Sequence, residues 1–174
     1  MGTHFTIRHT FDVDVDTFWN EVFFDADFNR KLYLEALGFK TYDVVEEKKD
    51  PDGTVHRKVR QTPRSDAPAV VKKLVGDEIS YVEEGRFDPT KKRWSYTITP
   101  SKLPDKIKIG GEFWVEPKGE GKIERLCTVD LSVKIFGVGG AVESFIEKQT
   151  KDSYDKAALF TRKFIEERGL SKKS

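Results

Sequence analysis

The chain has 174 residues, of which 31 are lysine or arginine and 30 are aspartate or glutamate, so its formal net charge is +1. A charge so close to zero creates no overall field that attracts a polyanion, and we therefore expect no nucleic-acid partner. The length and the hydrophobic content of 37% predict one globular domain over residues 1–174.

Two features of the sequence, its cysteine content and its N-terminal residues, bear on the cellular compartment in which the protein works. Cys127 is the one cysteine of the sequence, so an internal disulfide is excluded, and no signal-peptide pattern opens the chain. Both features predict a cytoplasmic location. No apolar run approaches the roughly 20 residues that cross a bilayer, so we expect any contact with a membrane surface to be peripheral and transient.

Residues 4–11 alternate between apolar and polar side chains, which predicts a half-buried strand. His9 lies on the apolar side, whereas His4 has the opposite parity, so the two histidines cannot share a metal ion. We interpret His9 as a core or edge histidine, and we predict no metal and no cofactor.

Asp12, Asp14 and Asp16 imitate the start of a calcium-binding loop. That loop requires glycine at the position of Thr17 and a bidentate glutamate at the position of Phe23, so we reject a calcium site. Asp14 or Asp16 is instead expected to cap a short helix, because an aspartate at that position accepts a hydrogen bond from a free backbone N–H.

A second short helix is predicted over residues 28–37, and beyond it the hydrophobic period changes to two, which predicts strands. Turn-forming sequences between the strands predict an antiparallel meander. The predicted strands are residues 39–48, 54–62, 79–87, 93–99, 106–116 and 122–135. Gly110 and Gly111 lie inside one of them, where glycine predicts a bulge or a bend that curls the sheet.

A basic run, HRKVRQTPR, covers residues 56–64. Its charged residues alternate with apolar or neutral ones, so we interpret the run as the solvated face of a strand. The acid–base candidates His9, Asp43 and Glu83 are scattered and form no pair that the sequence can identify.

Residues 63–76 interrupt the meander and contain the sequence APAVVKKLVG. Val70, Val71, Leu74 and Val75 would form the apolar face of a short helix, beside two lysines. We interpret this segment as a candidate lid over an apolar opening. A static packing role for the same face also fits the pattern.

The last predicted element is one long helix over residues 137–169, with no proline or glycine between Gly140 and its end. Its inward stripe is large and apolar at both ends but polar or small in the middle, at Gln149 and Ser153. A sheet wrapped around this helix would leave space at the midpoint. Alternatively, the two residues would lie half-solvated at the edge of the stripe.

The glycine-rich sequence GVGG at residues 137–140 opens this helix. It lacks the third glycine of the dinucleotide-binding pattern and the Lys-Ser/Thr of the triphosphate-binding pattern, so we interpret it as a hinge. No serine-hydrolase or zinc-protease motif occurs. Cys127 has the apolar neighbours of a core position. We therefore predict no catalytic residue.

The order of elements, together with three segments, indicates a family. The segments are FTIRHTFDVDVDTFWNEVFF (residues 5–24), DAPAVVKKLVGD (66–77) and SVKIFGVGGAVESFIEKQ (132–149). Over nearly its whole length the chain resembles the START-like superfamily, also called SRPBCC or polyketide-cyclase-like, and within it an uncharacterised bacterial branch. It is also similar to the VASt sterol-binding domains of intracellular lipid-transfer proteins. The resemblance implies an α+β helix-grip fold, in which two short helices follow the first strand and a curved antiparallel sheet wraps around a long C-terminal helix.

The same resemblance implies a cavity for a hydrophobic ligand. Our leading hypothesis is the binding, and the transfer between membranes, of a lipid or sterol. Two alternatives stay open, a cyclase- or aromatase-like enzyme and a co-chaperone-like interaction module, because members of all three kinds share these features. Shared strand parity and a shared helix face predict that the ligand contacts the following residues: Trp94, Tyr96, Phe113, Val129, Phe145, Gln149 and Ser153.

Overall fold

The computed structural model describes residues 2–171. Its centre is one antiparallel sheet of seven strands in the order β1-β7-β6-β5-β4-β3-β2. The strands are β1 (Gly2–Phe11), β2 (Thr41–Lys49), β3 (Val55–Thr62), β4 (Tyr81–Asp88), β5 (Arg93–Pro100), β6 (Ile107–Pro117) and β7 (Ile123–Val133). Every predicted strand is present, with ends shifted by no more than two residues. The first strand pairs with the last, so the chain returns to its start and brings the C-terminal helix under the curved sheet.

Two short helical segments connect β1 to β2. The first, α1, comprises Val15–Thr17 and continues as a π-helical turn over Phe18–Phe23, and the second, α2, comprises Ala26–Arg30 and continues as a π-helical turn over Lys31–Ala36. The carboxylate of Asp14 accepts a hydrogen bond from the backbone N–H of Thr17 at 2.8 Å, which confirms the predicted cap.

The long helix, α4 (Gly139–Glu167), is confirmed and lies across the sheet. Two separate apolar clusters hold its ends. The C-terminal half, represented by Phe164, packs in a cluster with Phe11, Phe18 and Trp19. The N-terminal end, represented by Val142, packs in a second cluster that includes Ile107 of β6 and Leu131 and Val133 of β7. Each cluster packs against only one end of the helix. The space between the sheet and the middle of the helix is therefore not filled by either cluster.

The glycine pair in β6 does not form a bulge. Pairing with β7 keeps one register on both sides of it, from Gly110 opposite Asp130 to Phe113 opposite Cys127. A Cβ atom on Gly111 would overlap a backbone oxygen of β7, so only glycine permits this close approach. No residue is inserted, so the predicted bulge is absent, and a bend at this glycine pair stays a prediction.

Residues 63–76 contain a third helix, α3 (Ala69–Val75), between β3 and β4. Val71 and Val75 are buried, whereas Lys72 and Lys73 are exposed. No helix within residues 2–171 is long and apolar enough to span a bilayer.

Candidate ligand cavity

A cavity of about 370 Å³ lies between the concave face of the sheet and the middle of α4. This volume falls within the range of about 300–1,000 Å³ that is typical of small-molecule sites. All seven residues predicted to contact a ligand lie in its wall: Trp94, Tyr96, Phe113, Val129, Phe145, Gln149 and Ser153. The structure therefore brings these side chains together around one space, and their contact with a ligand stays a prediction.

One wall of the cavity is aromatic. The ring of Phe23 lies 5.1 Å from that of Trp94 and 5.2 Å from that of Phe113, measured between centroids. Phe18 stacks on Phe113 at 6.2 Å. Rings at these spacings form a rigid apolar surface, because aromatic side chains have few rotatable bonds and support one another.

Gln149 and Ser153 lie on successive turns at the middle of α4, on the face that lines the cavity. Both are half-buried, and neither side chain makes a hydrogen bond with another part of residues 2–171. They lie between the two apolar clusters, where the large side chains of the stripe are interrupted. An amide and a hydroxyl are thus available to a polar group inside an otherwise apolar space.

The four predicted lid residues divide into two pairs. Val71 and Val75 line the cavity, whereas Val70 and Leu74 do not. The latter pair is half-buried and packs against the second apolar cluster. The helix α3 therefore forms part of the cavity wall at the N-terminal end of α4, and whether it moves as a lid stays a prediction.

The cavity contains a cationic group that is not among the predicted site residues. The interpretation of residues 56–64 as a solvated basic face is wrong for Arg57, because this residue is only 9% exposed and lines the cavity. Its guanidinium carbon lies 4.8 Å from the ring centre of Trp94 and 5.1 Å from that of Phe23. The signal was present in the alternation of β3, since Val59 and Gln61 have the same parity and are also buried.

A carboxyl group shares the polar end of the cavity with Arg57. Glu83 lines the cavity from β4, and burial raises its pKa, while the positive charge of Arg57 opposes that rise. The two residues form no ion pair within the described residues. Tyr33 and Tyr81 line the same end, and burial raises the pKa of both phenols, so their hydroxyls stay neutral donors.

A second buried arginine, Arg125, borders the cavity below α4 and is 5% exposed. Its guanidinium donates a hydrogen bond to Nδ1 of His9 at 2.9 Å, and Nε2 of His9 lies 2.8 Å from the carboxylate of Asp155. The guanidinium of Arg125 also donates a hydrogen bond to the backbone oxygen of Tyr154 at 3.4 Å. His9 is thus an edge histidine with partners on both nitrogens, as interpreted from the sequence. Within residues 2–171, no group of three or more His, Cys, Asp or Glu could hold a metal ion.

The fold is similar to that of several solved structures. Zhui aromatase/cyclase from Streptomyces sp. R1128 gives a TM-score of 0.68 at 12% identity, covering 97% of this chain and 96% of that chain. Norcoclaurine synthase from Thalictrum flavum gives 0.66 at 15% identity, covering 95% and 87%. A START superfamily protein from Mycobacterium smegmatis gives 0.61 at 12% identity, covering 94% and 97%. These likenesses confirm the START-like helix-grip fold.

Comparison of the sequence with curated proteins gives no match. A family model described as "Protein of unknown function (DUF2505)" matches residues 6–165, which is most of the chain. The chain therefore belongs to the DUF2505 family.

Proposed function

We propose that this protein binds a hydrophobic small molecule, of the lipid or sterol class, in the cavity between the sheet and α4. The observation that carries the proposal is the position of the cavity, because two packed apolar clusters hold the ends of the helix and leave an aromatic-walled space between them. A concave apolar space with a few polar groups is the usual form of a small-molecule site. The fold of the similar structures is compatible with this use.

Transfer between membranes is the further part of this proposal. The helix α3 supplies Val71 and Val75 to the cavity wall and exposes Lys72 and Lys73 beside them. Such a segment can meet anionic headgroups while its apolar side uncovers the cavity. Contact with the membrane would be transient.

We place the protein in the cytoplasm, because Cys127 is a buried free thiol and suits a reducing compartment. We regard residues 1–174 as one ligand-binding domain.

A second candidate function is enzymatic, and one observation favours it. Glu83 and Arg57 line the same end of the cavity, where a carboxyl of raised pKa could transfer a proton and a guanidinium could stabilise an enolate. A cyclase-like reaction would use such a pair. Incubation of the protein with a poly-β-ketone analogue, with product detection by mass spectrometry, tests this candidate. An enzyme would form product with the wild type and lose that activity in Glu83→Gln.

Native mass spectrometry of the protein purified from its own host tests the binding proposal. We expect an adduct whose mass identifies an apolar molecule and which organic extraction removes. In Ser153→Trp, an indole would project from the middle of α4 into the cavity, and we expect the adduct to be lost. Lys163→Trp is the matched control, because Lys163 is an exposed residue of the same helix. Wild-type protein that carries no adduct, and that takes up neither fatty acids, fatty alcohols nor sterols, would contradict the proposal.

A further inference from the structure

Two buried guanidinium groups line the cavity, and their hydrogen bonding differs. Arg125 donates to His9 and to a backbone oxygen, and the hydrogen-bonded His9 in turn contacts Asp155. The guanidinium of Arg57 makes no hydrogen bond and no ion pair with any part of residues 2–171. The buried Nε has no acceptor among these residues in either arginine, but Arg57, unlike Arg125, has no acceptor at its other guanidinium nitrogens either. Its contacts are to the rings of Phe23 and Trp94. Arg125 is therefore a structural group, whereas Arg57 has N–H groups available to a ligand.

A buried arginine without hydrogen-bond acceptors destabilises the folded protein unless a ligand supplies them. A guanidinium carries five N–H donors, and a buried donor without an acceptor destabilises the fold. The two aromatic rings compensate for part of the buried charge through cation–π contact, but they accept no strong hydrogen bond. An acceptor that enters the cavity would therefore meet a preorganised donor that has no competing partner.

The neighbours of Arg57 at this end of the cavity are rich in donors. Gln61 lies two residues further along β3 and is 2% exposed. Tyr33 and Tyr81 add phenol groups, which stay protonated because burial raises their pKa. Glu83 is the one carboxyl among the residues that line this end. A ligand group that only accepts hydrogen bonds suits this set better than a hydroxyl, which both donates and accepts.

We infer that the ligand of this cavity is an amphipathic carboxylic acid, whose carboxylate is bound by Arg57 while its apolar body lies along the aromatic wall toward the middle of α4. This inference rests on the proposed binding function and narrows it, since it favours an acid over a neutral sterol. A carboxylate matches the planar fork of a guanidinium with two parallel hydrogen bonds, which a single hydroxyl cannot do. The acid has either an alkyl or an aromatic body, because both fit an apolar wall of this kind.

Glu83 makes the binding of an acid sensitive to pH. When Glu83 is protonated it donates to the bound carboxylate, and when it is ionised it repels that carboxylate and competes for Arg57. Affinity for an acid therefore falls as the pH rises through the pKa of Glu83, whereas affinity for a neutral analogue does not. The titratable and charged groups that influence Glu83, or are influenced by it, come from β2, β3, β4, β5, β7 and the second helical segment: Tyr42, Arg57, Tyr81, Tyr96, Cys127 and Tyr33.

Isothermal titration calorimetry with matched pairs of ligands tests the inference. The pairs are dodecanoic acid with dodecanol, and naphthoic acid with naphthalenemethanol, all above about pH 6, where a free carboxylic acid is ionised. We expect the wild type to prefer the acid in at least one pair by about tenfold to a hundredfold, the range expected for charge-assisted hydrogen bonds. The pair that shows the preference distinguishes an alkyl from an aromatic body.

Substitution of Arg57 separates its chemistry from its packing. Arg57→Met keeps an apolar stem against the rings, and we expect it to remove the preference for the acid while the alcohol binds as before. Arg57→Lys keeps the charge, and we expect it to retain part of the preference for the acid. If Arg57→Met fails to fold, Arg57→Lys still tests the inference. Arg60→Met is the matched control, because Arg60 is an exposed residue of the same strand and lies on its outer face.

The pH arm uses Glu83→Gln, with Glu84→Gln as the control on the exposed face of the same strand. We expect Glu83→Gln to bind the acid at least as tightly as the wild type at the highest pH measured and to remove the fall in affinity that the wild type shows as the pH rises. A loss in Glu83→Gln as large as that in Arg57→Met would overturn the role given to Glu83. Equal affinity of the wild type for acid and alcohol in both pairs would overturn the inference and leave the binding proposal intact. Failure of the wild type to bind any of the four probes would also overturn the inference, and the binding proposal itself would fall only if native mass spectrometry showed no adduct and sterols were not taken up either.

Discussion

Gly85 of β4 pairs with Tyr96 of β5, but the space that a side chain at position 85 would occupy is filled by the ring of Trp94. A Cβ atom built on Gly85 would overlap the indole ring of Trp94, so the ring lies flat across the strand where a side chain would otherwise stand. The guanidinium of Arg57 lies above that ring, 4.8 Å from its centre. The absence of one side chain in β4 therefore determines where the aromatic wall and its cation meet.

We expect Gly85→Ala to lower the free energy of unfolding by about 1–3 kcal/mol, because the indole would have to leave a well-packed position. Chemical denaturation in urea measures this change. Gly140→Ala is the control, since nothing lies near the corresponding Cβ position at the start of α4, and we expect it to be neutral or slightly stabilising. Equal stability of Gly85→Ala and the wild type would show that the ring has another low-energy position.

Gln149→Leu tests the polar group at the middle of α4. We expect this variant to bind dodecanol more weakly than the wild type, by about fivefold or more, because a neutral hydrogen bond inside a cavity contributes about 1 kcal/mol. Binding of dodecane should change little. Competition with a fluorescent apolar probe measures both affinities, and equal weakening of the two ligands would indicate that Gln149 contributes only shape.

The helix α3 is expected to control the rate of ligand exchange rather than the occupancy. A helix of this length depends on tertiary contacts for its stability, so it can open while the strands stay fixed. We expect the double substitution Lys72→Glu and Lys73→Glu to slow transfer of a labelled lipid from anionic vesicles by about tenfold or more, since each lysine contributes about 1 kcal/mol at a charged surface. The occupancy of a preloaded protein should stay the same.

The control for that experiment is Lys91→Glu, in the turn between β4 and β5, at the opposite end of the strand that follows α3. Unchanged transfer by the double variant would assign the opening to another segment. Residues 100–105 would be the next candidate, because they join β5 to β6 and bring Leu103 into the apolar cluster that contains Val71.

His9 is expected to make stability depend on pH. Arg125 donates to Nδ1 of His9, so that nitrogen must be unprotonated, and Nε2 carries the hydrogen that Asp155 accepts. Burial is the main cause that lowers the pKa of His9 below 6.5, and the hydrogen bond to Asp155 only partly offsets it. The unfolded chain therefore binds this proton more readily than the folded chain. The contribution of His9 to stability is complete above pH 6.5 and is lost as the pH falls from there through the folded pKa.

Urea denaturation of the wild type and His9→Gln across this range measures the effect. Glutamine can accept from Arg125 and donate to Asp155 without titrating, so we expect the variant to lose less stability than the wild type as the pH falls below 6.5. His56→Gln, which keeps His9, should follow the wild type. Parallel curves for the wild type and His9→Gln would contradict the prediction.

Sequence periodicity alone determined most of the architecture. The long helix, the meander of strands and the aspartate cap at Asp14 are local features, since each depends on side chains a few residues apart along one element. The interruption of the helical stripe at Gln149 and Ser153 also predicted where space would remain. The close approach at Gly111 could not be predicted locally, because the backbone oxygen that requires glycine belongs to another strand.

The tertiary structure decided which charged residues face the cavity. The parity of β3 indicates that Arg57 and Val59 share a face, yet a basic run with alternating neutral residues fits a solvated strand equally well. Arg57 is buried because the rings of Trp94 and Phe23 cover its guanidinium, and Gly85 leaves space for the Trp94 ring. All three residues come from other elements of the chain. Glu83 likewise forms no recognisable pair in the sequence. Only the antiparallel register of β3 and β4 places it at the same end of the cavity as Arg57, because strand pairing joins residues that the chain keeps far apart.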